Sequence, residues 1–122
     1  MHLLVSNILI YAGQPGNEFL DAWLTAEGAR MSAISIPEVL GFTGLSAEDE
    51  AWFARLFVRA VTEPILRRGA ALRRQRRMKL GDSIIAATAM EIGADLVTRN
   101  VDDFKHIAGL KLINPFAPPL IV

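Results

Sequence analysis

Apolar residues open the chain as two short blocks, His2 to Val5 and Ile8 to Ala12, which meet at the uncharged polar pair Ser6-Asn7. The first block is too short for a helix and reads as a buried strand, and Asn7 stands where an N-cap would start a helical segment over Ile8 to Ala12. Gly13, Pro15 and Gly16 punctuate. Phe19, Leu20, Trp23 and Leu24 then recur at helical spacing, which predicts an amphipathic helix from about Glu18 to Glu27 that Gly28 ends. Met31 to Ile34 reads as a second strand. Ser35-Ile36-Pro37-Glu38 has the S-x-x-E form of a capping box, with proline tolerated in the first turn, so a helix is expected from there to about Phe42. Ser46-Ala47-Glu48-Asp49 announces another, carrying the apolar stripe Trp52, Phe53, Leu56 and Phe57.

After an extended piece near Val61, Pro64 opens an arginine-rich helix that Leu80-Gly81 is expected to break. Asp82 is placed to start a very apolar helix in which Ile84, Ile85, Thr88, Ala89 and Ile92 face inward, and Gly93 closes it. Leu96-Val97-Thr98 reads as a strand, Asn100 to Asp103 as a helical turn, Lys111 to Ile113 as a last strand, and Pro115 to Val122 as an extended tail. Strands alternating with helices through short connections imply an α/β fold whose parallel sheet is covered on both faces, with any ligand at the carboxyl ends of the strands.

Composition narrows the picture. The 122 residues suit one domain over 1–122, without repeat or linker, burying roughly two-thirds of the unfolded surface. At 52% hydrophobic residues the chain is more apolar than an average soluble domain, and with the Trp52 to Phe57 stripe this predicts a homodimer. No apolar run approaches the ~20 residues of a membrane span and no charged leader precedes one, so a soluble, cytoplasmic protein without membrane contact is expected. Cysteine is absent, which excludes disulfides and thiolate metal sites. His2 and His106 have no spaced partner for a zinc site.

Thirteen basic residues balance thirteen acidic ones, yet nine of the basic residues fall between Arg55 and Lys79. Within it, the arginines between Arg67 and Lys79 suit phosphate contacts with RNA, an acidic protein partner, or a solvated helix face. The tryptophans and phenylalanines recur at helical spacing and read as packing rather than base stacking.

Three acids stand at the polar hinges: Glu38 in the first turn after the second strand, Asp82 at the start of the very apolar helix, and Asp103 just after Leu96-Val97-Thr98. Singly, each suits a helix start, where carboxylates cap the backbone and favour the macrodipole. Together, carboxylates gathered at one sheet edge repel one another unless protons or cations lie between them, and a divalent cation with oxygen ligands is the economical answer.

At these residues the sequence resembles the PIN-domain family, and more closely its VapC-type toxins of toxin–antitoxin pairs. The resemblance runs through LLVSNILIYA at the start, SAISIPEVLGF around Glu38, KLGDSIIAATAM around Asp82 and LVTRNVDDF with Asn100 and Asp103. It implies a three-layer α/β/α sandwich and metal-dependent hydrolysis of RNA. Glu38, Asp82 and Asp103 would hold magnesium or manganese, with Asn100 and Ser6 as polar support. The implied partners are an RNA substrate and a cognate antitoxin. In the family the first strand ends in an aspartate followed by a small hydroxyl residue and asparagine, and here Val5 occupies the aspartate position. The resemblance therefore implies an impaired nuclease, because valine neither coordinates a cation nor accepts a hydrogen bond. An aspartate codon becomes a valine codon by one base change while the other acids are intact, which favours a change made or selected over gene decay. The alternative function is a nuclease-dead module that binds only antitoxin or RNA. A Rossmann-type nucleotide-binding domain is excluded, since LLVSNILIYA has no glycine-rich turn.

Overall fold

A computed structural model describes residues 1–117. Five strands, β1 (His2–Leu4), β2 (Ala29–Ser32), β3 (Phe57–Arg59), β4 (Asp95–Val97) and β5 (Leu112–Ile113), form one sheet in the order β3-β2-β1-β4-β5. Every neighbouring pair is parallel, with His2 facing both Ala29 and Asp95. Adjacent residues on a strand point to opposite faces, and Leu3 and Leu4 are both fully buried, as are Leu96 and Val97. The middle of the sheet is thus covered on both sides, as parallel sheets require.

Six helices supply the cover: α1 (Ser6–Ala12), α2 (Asp21–Thr25), α3 (Ser35–Leu40), α4 (Ala47–Phe53), α5 (Glu63–Gln75) and α6 (Leu80–Ile92). Short 3-10 turns at Glu18–Leu20 and Val101–Asp103 complete the elements. The expected α/β fold, a central parallel sheet flanked by helices, is present. From β1 the chain steps outward through β2 to β3 and then crosses back to place β4 on the other side of β1. Such a reversal opens a crevice at the carboxyl ends of the two strands it separates, here β1 and β4.

α6 lies against β1, β2 and β4 and pairs along its length with α5. Every residue from Ser83 to Ala89 is buried, so this helix is apolar all round rather than on one face. Its polar groups are satisfied locally, Thr88 Oγ1 donating to the Ile84 carbonyl at 2.7 Å and Ser83 Oγ to that of Leu80 at 2.7 Å. Gly93 ends it in the left-handed conformation, φ +68°, its N–H reaching the carbonyls of Ala89 and Met90.

Several local expectations are corrected. Val5, not Asn7, is the N-cap of α1. The segment Glu18 to Glu27 divides into a 3-10 turn and the five-residue α2. β2 begins and ends two residues earlier than the sequence suggests, because Ser32 Oγ accepts from the Ile34 N–H and turns the chain there. The Ser35/Glu38 capping box does not form: Ile34 precedes α3 and makes no side-chain cap bond. At α4 the expected cap is present, Ser46 Oγ accepting from the Asp49 N–H at 3.0 Å. The stripe beyond it divides, since α4 stops at Phe53: Phe53 and Leu56 enter the chain's own core, while Phe57 begins β3 and is 56% exposed. The break after the arginine-rich helix falls at Arg76 to Lys79, and Leu80-Gly81 are the first turn of α6 rather than the break. The tail expected to extend from Pro115 instead turns, with the Phe116 N–H bonded to Asn114 Oδ1 at 2.9 Å, and residues 118–122 lie outside the described residues.

Candidate active site

Four segments converge on the crevice between β1 and β4. The start of α1 brings Val5, Ser6 and Asn7, α3 brings Glu38, the start of α6 brings Lys79 and Asp82, and the chain leaving β4 brings Thr98, Asn100 and Asp103. Together with Ile85 and Phe104 these residues line a cavity of about 70 Å³. That volume suits a few waters or an ion and excludes a nucleotide, so a larger ligand would have to lie outside it.

The hydrogen bonds at the crevice explain why the local sequence signals misplace their residues. Ser6 Oγ lies 2.7 Å from Glu38 Oε1 and 2.9 Å from Ser35 Oγ. A carboxylate only accepts, so the single Ser6 proton goes to Glu38 and the Ser35 hydroxyl supplies the second bond. Ser35 and Glu38 are thereby drawn to α1 instead of closing a capping box. Glu38 also lies against the first turn of α6, where a Cβ at Gly81 would sit 3.1 Å from Glu38 Oε2. Glycine there admits the carboxylate. Asp82 is the third residue of α6 and aims into the cavity, while Lys79 occupies the cap position.

On the far wall, Thr98 Oγ1 accepts from the Asn100 N–H at 3.0 Å, and the Asp103 N–H bonds the Asn100 carbonyl at 3.1 Å. This closes the turn that presents Asn100 and Asp103. Burial pushes the Asp82 carboxyl above its ordinary value; Asp103 adds to the rise, Lys79 opposes it, and Glu38 contributes a smaller push upward. Asp82 therefore feels both of the other carboxylates across the cavity. Their side chains do not close into a ready-made cage: among the described residues no three acidic or histidine groups stand close enough to enclose a cation as placed.

Every residue singled out from the sequence thus lines this crevice: Ser6, Glu38, Asp82, Asn100 and Asp103, with Val5 buried in its wall. Sequence reasoning missed Lys79 and Thr98. Lys79 is hidden within a run of basic residues, although its position three before Asp82 places it on the same turn of helix, and Thr98 reads simply as the end of a strand.

A second, wider groove of about 510 Å³ adjoins the cavity and shares Lys79, Asp82 and Asp103 with it. Arg73, Arg76 and Arg77 line it with His106 and Asp102. Not all the arginines face it: Arg67 pairs with Glu63 at 2.8 Å and Arg68 with Glu91 at 3.5 Å, and Arg73 also donates to the Met78 carbonyl. His2 stacks edge-on against Trp23 at 5.5 Å, away from the crevice. Among the described residues no helix is long and apolar enough to cross a membrane.

A family model described as the PIN domain matches residues 3–110. Among solved structures, a protein of a toxin–antitoxin complex from Klebsiella pneumoniae is 30% identical; the match covers 95% of this chain and 98% of that one, with a TM-score of 0.70. The FitAcB structure from Neisseria gonorrhoeae contains a chain 25% identical, matched over 95% of this chain and 99% of that one, TM-score 0.72. A chain of VapBC-1 from nontypeable Haemophilus influenzae, 23% identical over 95% and 98% at a TM-score of 0.75, shares the fold. No curated protein matches the chain. A PIN model spanning most of the chain, a relative from a toxin–antitoxin complex matched over nearly all of its length, and acids gathered where β1 and β4 part together place this chain in the PIN-domain family.

Proposed function

We propose that the chain is a ribonuclease toxin of a toxin–antitoxin pair, in which Glu38, Asp82 and Asp103 hold a magnesium or manganese ion and water hydrolyses an RNA phosphodiester. The observation that carries this reading is the convergence of the three carboxylates on one small cavity, with Asp82 pushed toward protonation by burial and by its acidic neighbours. Hard oxygen donors without histidine or cysteine suit those two ions, which keep several waters and take one or two carboxylates each, so a complete protein cage is not required. When bound, the cation supplies an activated water and offsets charge developing on the phosphate.

The chain's own groups do the positioning. Ser6 holds one Glu38 oxygen by its 2.7 Å hydrogen bond and leaves the other free to bind. Thr98 fixes the backbone that presents Asn100, whose amide is available to a phosphate oxygen or a ligand water. Lys79 and the arginines beside it draw the polyanion into the adjoining groove, which is wide enough for a strand where the cavity is not. The relative from the Klebsiella complex supports an antitoxin as the protein partner. A homodimer remains part of the proposal, through the exposed Phe57 and Val58 together with Ile36 and Leu40 rather than through Phe53 and Leu56.

One observation favours a second reading. Val5 places a buried, branched apolar side chain in the cavity wall where the family resemblance calls for an aspartate, so the chain as it stands would be a weakened nuclease or a module that binds antitoxin or RNA without cutting. Cleavage of single-stranded RNA in magnesium, manganese and chelator, with Asp82→Ala beside the unchanged chain, tests both. Metal-dependent cutting lost in Asp82→Ala supports the nuclease; RNA binding without cutting in any metal supports the module; neither binding nor cutting refutes the nuclease and the RNA-binding module alike.

A further inference from the structure

Next to residues that line the cavity stands a cluster outside the lining of the arginine groove, with no part in the chemistry above. The Arg99 guanidinium is centred 4.3 Å from the Phe116 ring and 5.3 Å from the Tyr11 ring. Tyr11 meets Phe116 edge-on at 5.5 Å, and Phe19 meets it edge-on at 5.1 Å. Arg99 is exposed and makes no ion pair among the described residues. Phe19 is 47% exposed. The Asn17 side chain donates to the Tyr11 carbonyl at 3.0 Å and pins the end of α1.

The cluster is tied to the cavity by covalent geometry. Tyr11 lies one helical turn, ~6 Å, beyond Asn7 on the same face of α1, and Asn7 lines the cavity. Arg99 immediately precedes Asn100, which lines it from the other wall. The arginine groove meets the same cavity through Lys79, Asp82 and Asp103. A chain whose phosphate sits at the carboxylates therefore has the basic groove bordering the cavity through Lys79, Asp82 and Asp103, and a guanidinium backed by aromatic rings next to Asn7 and Asn100.

We propose that Arg99, supported by Tyr11 and Phe116, is a stacking subsite for an unpaired base of the RNA next to the bond placed at the carboxylate cavity. This inference rests on the ribonuclease reading of that cavity. A guanidinium held over rings is a planar cation whose position is already restricted, so less freedom is lost when a base covers it. Bases expose their faces only when unpaired, so the subsite selects single-stranded segments, loops or bulges over duplex. It acts on any base, because every base has a π face. A protein partner is the less favoured occupant: an acidic segment has the arginine groove to bind, and it needs no aromatic bed.

The test compares a fluorescent single-stranded oligouridylate with an abasic ribose-phosphate strand of equal length and charge, both binding the full chain in chelator. Stacking predicts that the base-bearing strand binds ~5- to ~100-fold more tightly. Tyr11→Leu and Arg99→Lys, the latter keeping the charge and removing the plane, are expected to abolish most of that preference and to leave the abasic strand's affinity unchanged. Substituting Arg73, Arg76 and Arg77 is expected to weaken both strands alike. If the chain binds both strands equally, the platform belongs to another partner and the inference is overturned while the ribonuclease reading stands. If the chain binds neither strand, in chelator or with magnesium or manganese added, the RNA reading itself fails, and this inference with it.

Discussion

Replacing Val5 by aspartate sets three effects of known sign against one another. Val5 is 6% exposed and packed in the core, and burying such a side chain is worth ~1.5 to 3 kcal/mol, most of which the substitution forfeits. Against this, Val5 precedes α1 with φ −72° and ψ 157°, the conformation of an N-cap, and makes no side-chain cap bond. Aspartate there accepts from the first-turn amides and returns about 0.5 to 2 kcal/mol. The third effect adds to the loss: a fourth carboxylate joins Glu38, Asp82 and Asp103 at the cavity, and each like-charge pair brought to ~5 Å with an effective dielectric of ~20 costs about 3 kcal/mol. In chelator Val5→Asp is therefore less stable by roughly 3 kcal/mol or more, a fall in Tm of ~10 °C for a domain of this size. A divalent cation at ~100 times its Kd restores about 2.7 kcal/mol, and does so more fully in the aspartate form because that form binds it more tightly. The assay is thermal unfolding of both forms in chelator and in magnesium or manganese, run beside cleavage of single-stranded RNA. Supporting groups around metal ligands are worth ~10- to 100-fold in affinity or activity, so the aspartate form is expected to cut at least that much faster. Equal response to metal and equal cutting by the two forms would refute the reasoning and remove position 5 from the metal site.

Asp82→Asn is expected to raise Tm in chelator at neutral pH, because the folded carboxyl has a raised pKa and its ionised form is disfavoured. The gain is absent below pH 3.8, develops as pH rises through the raised value, and shows as converging melting curves of the two forms on acidification; a gain that grew toward low pH would contradict the sign. Replacing Arg73, Arg74, Arg76 and Arg77 by serine is expected to weaken RNA binding and flatten its dependence on salt, since fewer counterions are released. Affinity measured at two salt concentrations checks this, and an unchanged slope returns the helix to a solvated face. In solution at micromolar concentration the chain is expected to have the mass of a dimer, and Phe57→Ser to shift it toward monomer; a monomeric unsubstituted chain disproves the interface.

Most of the element types are legible in the sequence, because periodicity and punctuation are local. His2 to Val5 and Leu96-Val97-Thr98 read as strands and are strands to within one residue at each end, Gly93 ends α6 as its position suggests, and Ser46 caps α4. The three acids and the two polar residues of the crevice are legible too: Ser6 follows β1, Glu38 comes soon after β2, Asp82 opens α6, Asn100 and Asp103 follow β4, and all lie in the stretches that carry the resemblance to the PIN family. What local rules misplace are the residues whose side chains have a better partner far away in sequence. Ser35 and Glu38 form a capping box on paper, but Ser6 takes both of them in the fold. Gly81 looks like a helix breaker and instead sits inside α6, where its missing Cβ leaves room for the Glu38 carboxylate. The phenylalanines read as packing, and one of them, Phe116, lies with Tyr11 beside the exposed Arg99. The Trp52 to Phe57 stripe reads as one helical face, yet the helix ends within it and the sheet takes the rest. Periodicity reports which residues want burial and how the backbone repeats, whereas the choice of partner for a hydroxyl, a carboxylate or a guanidinium depends on what the reversal of strand order at β1 brings within hydrogen-bonding distance.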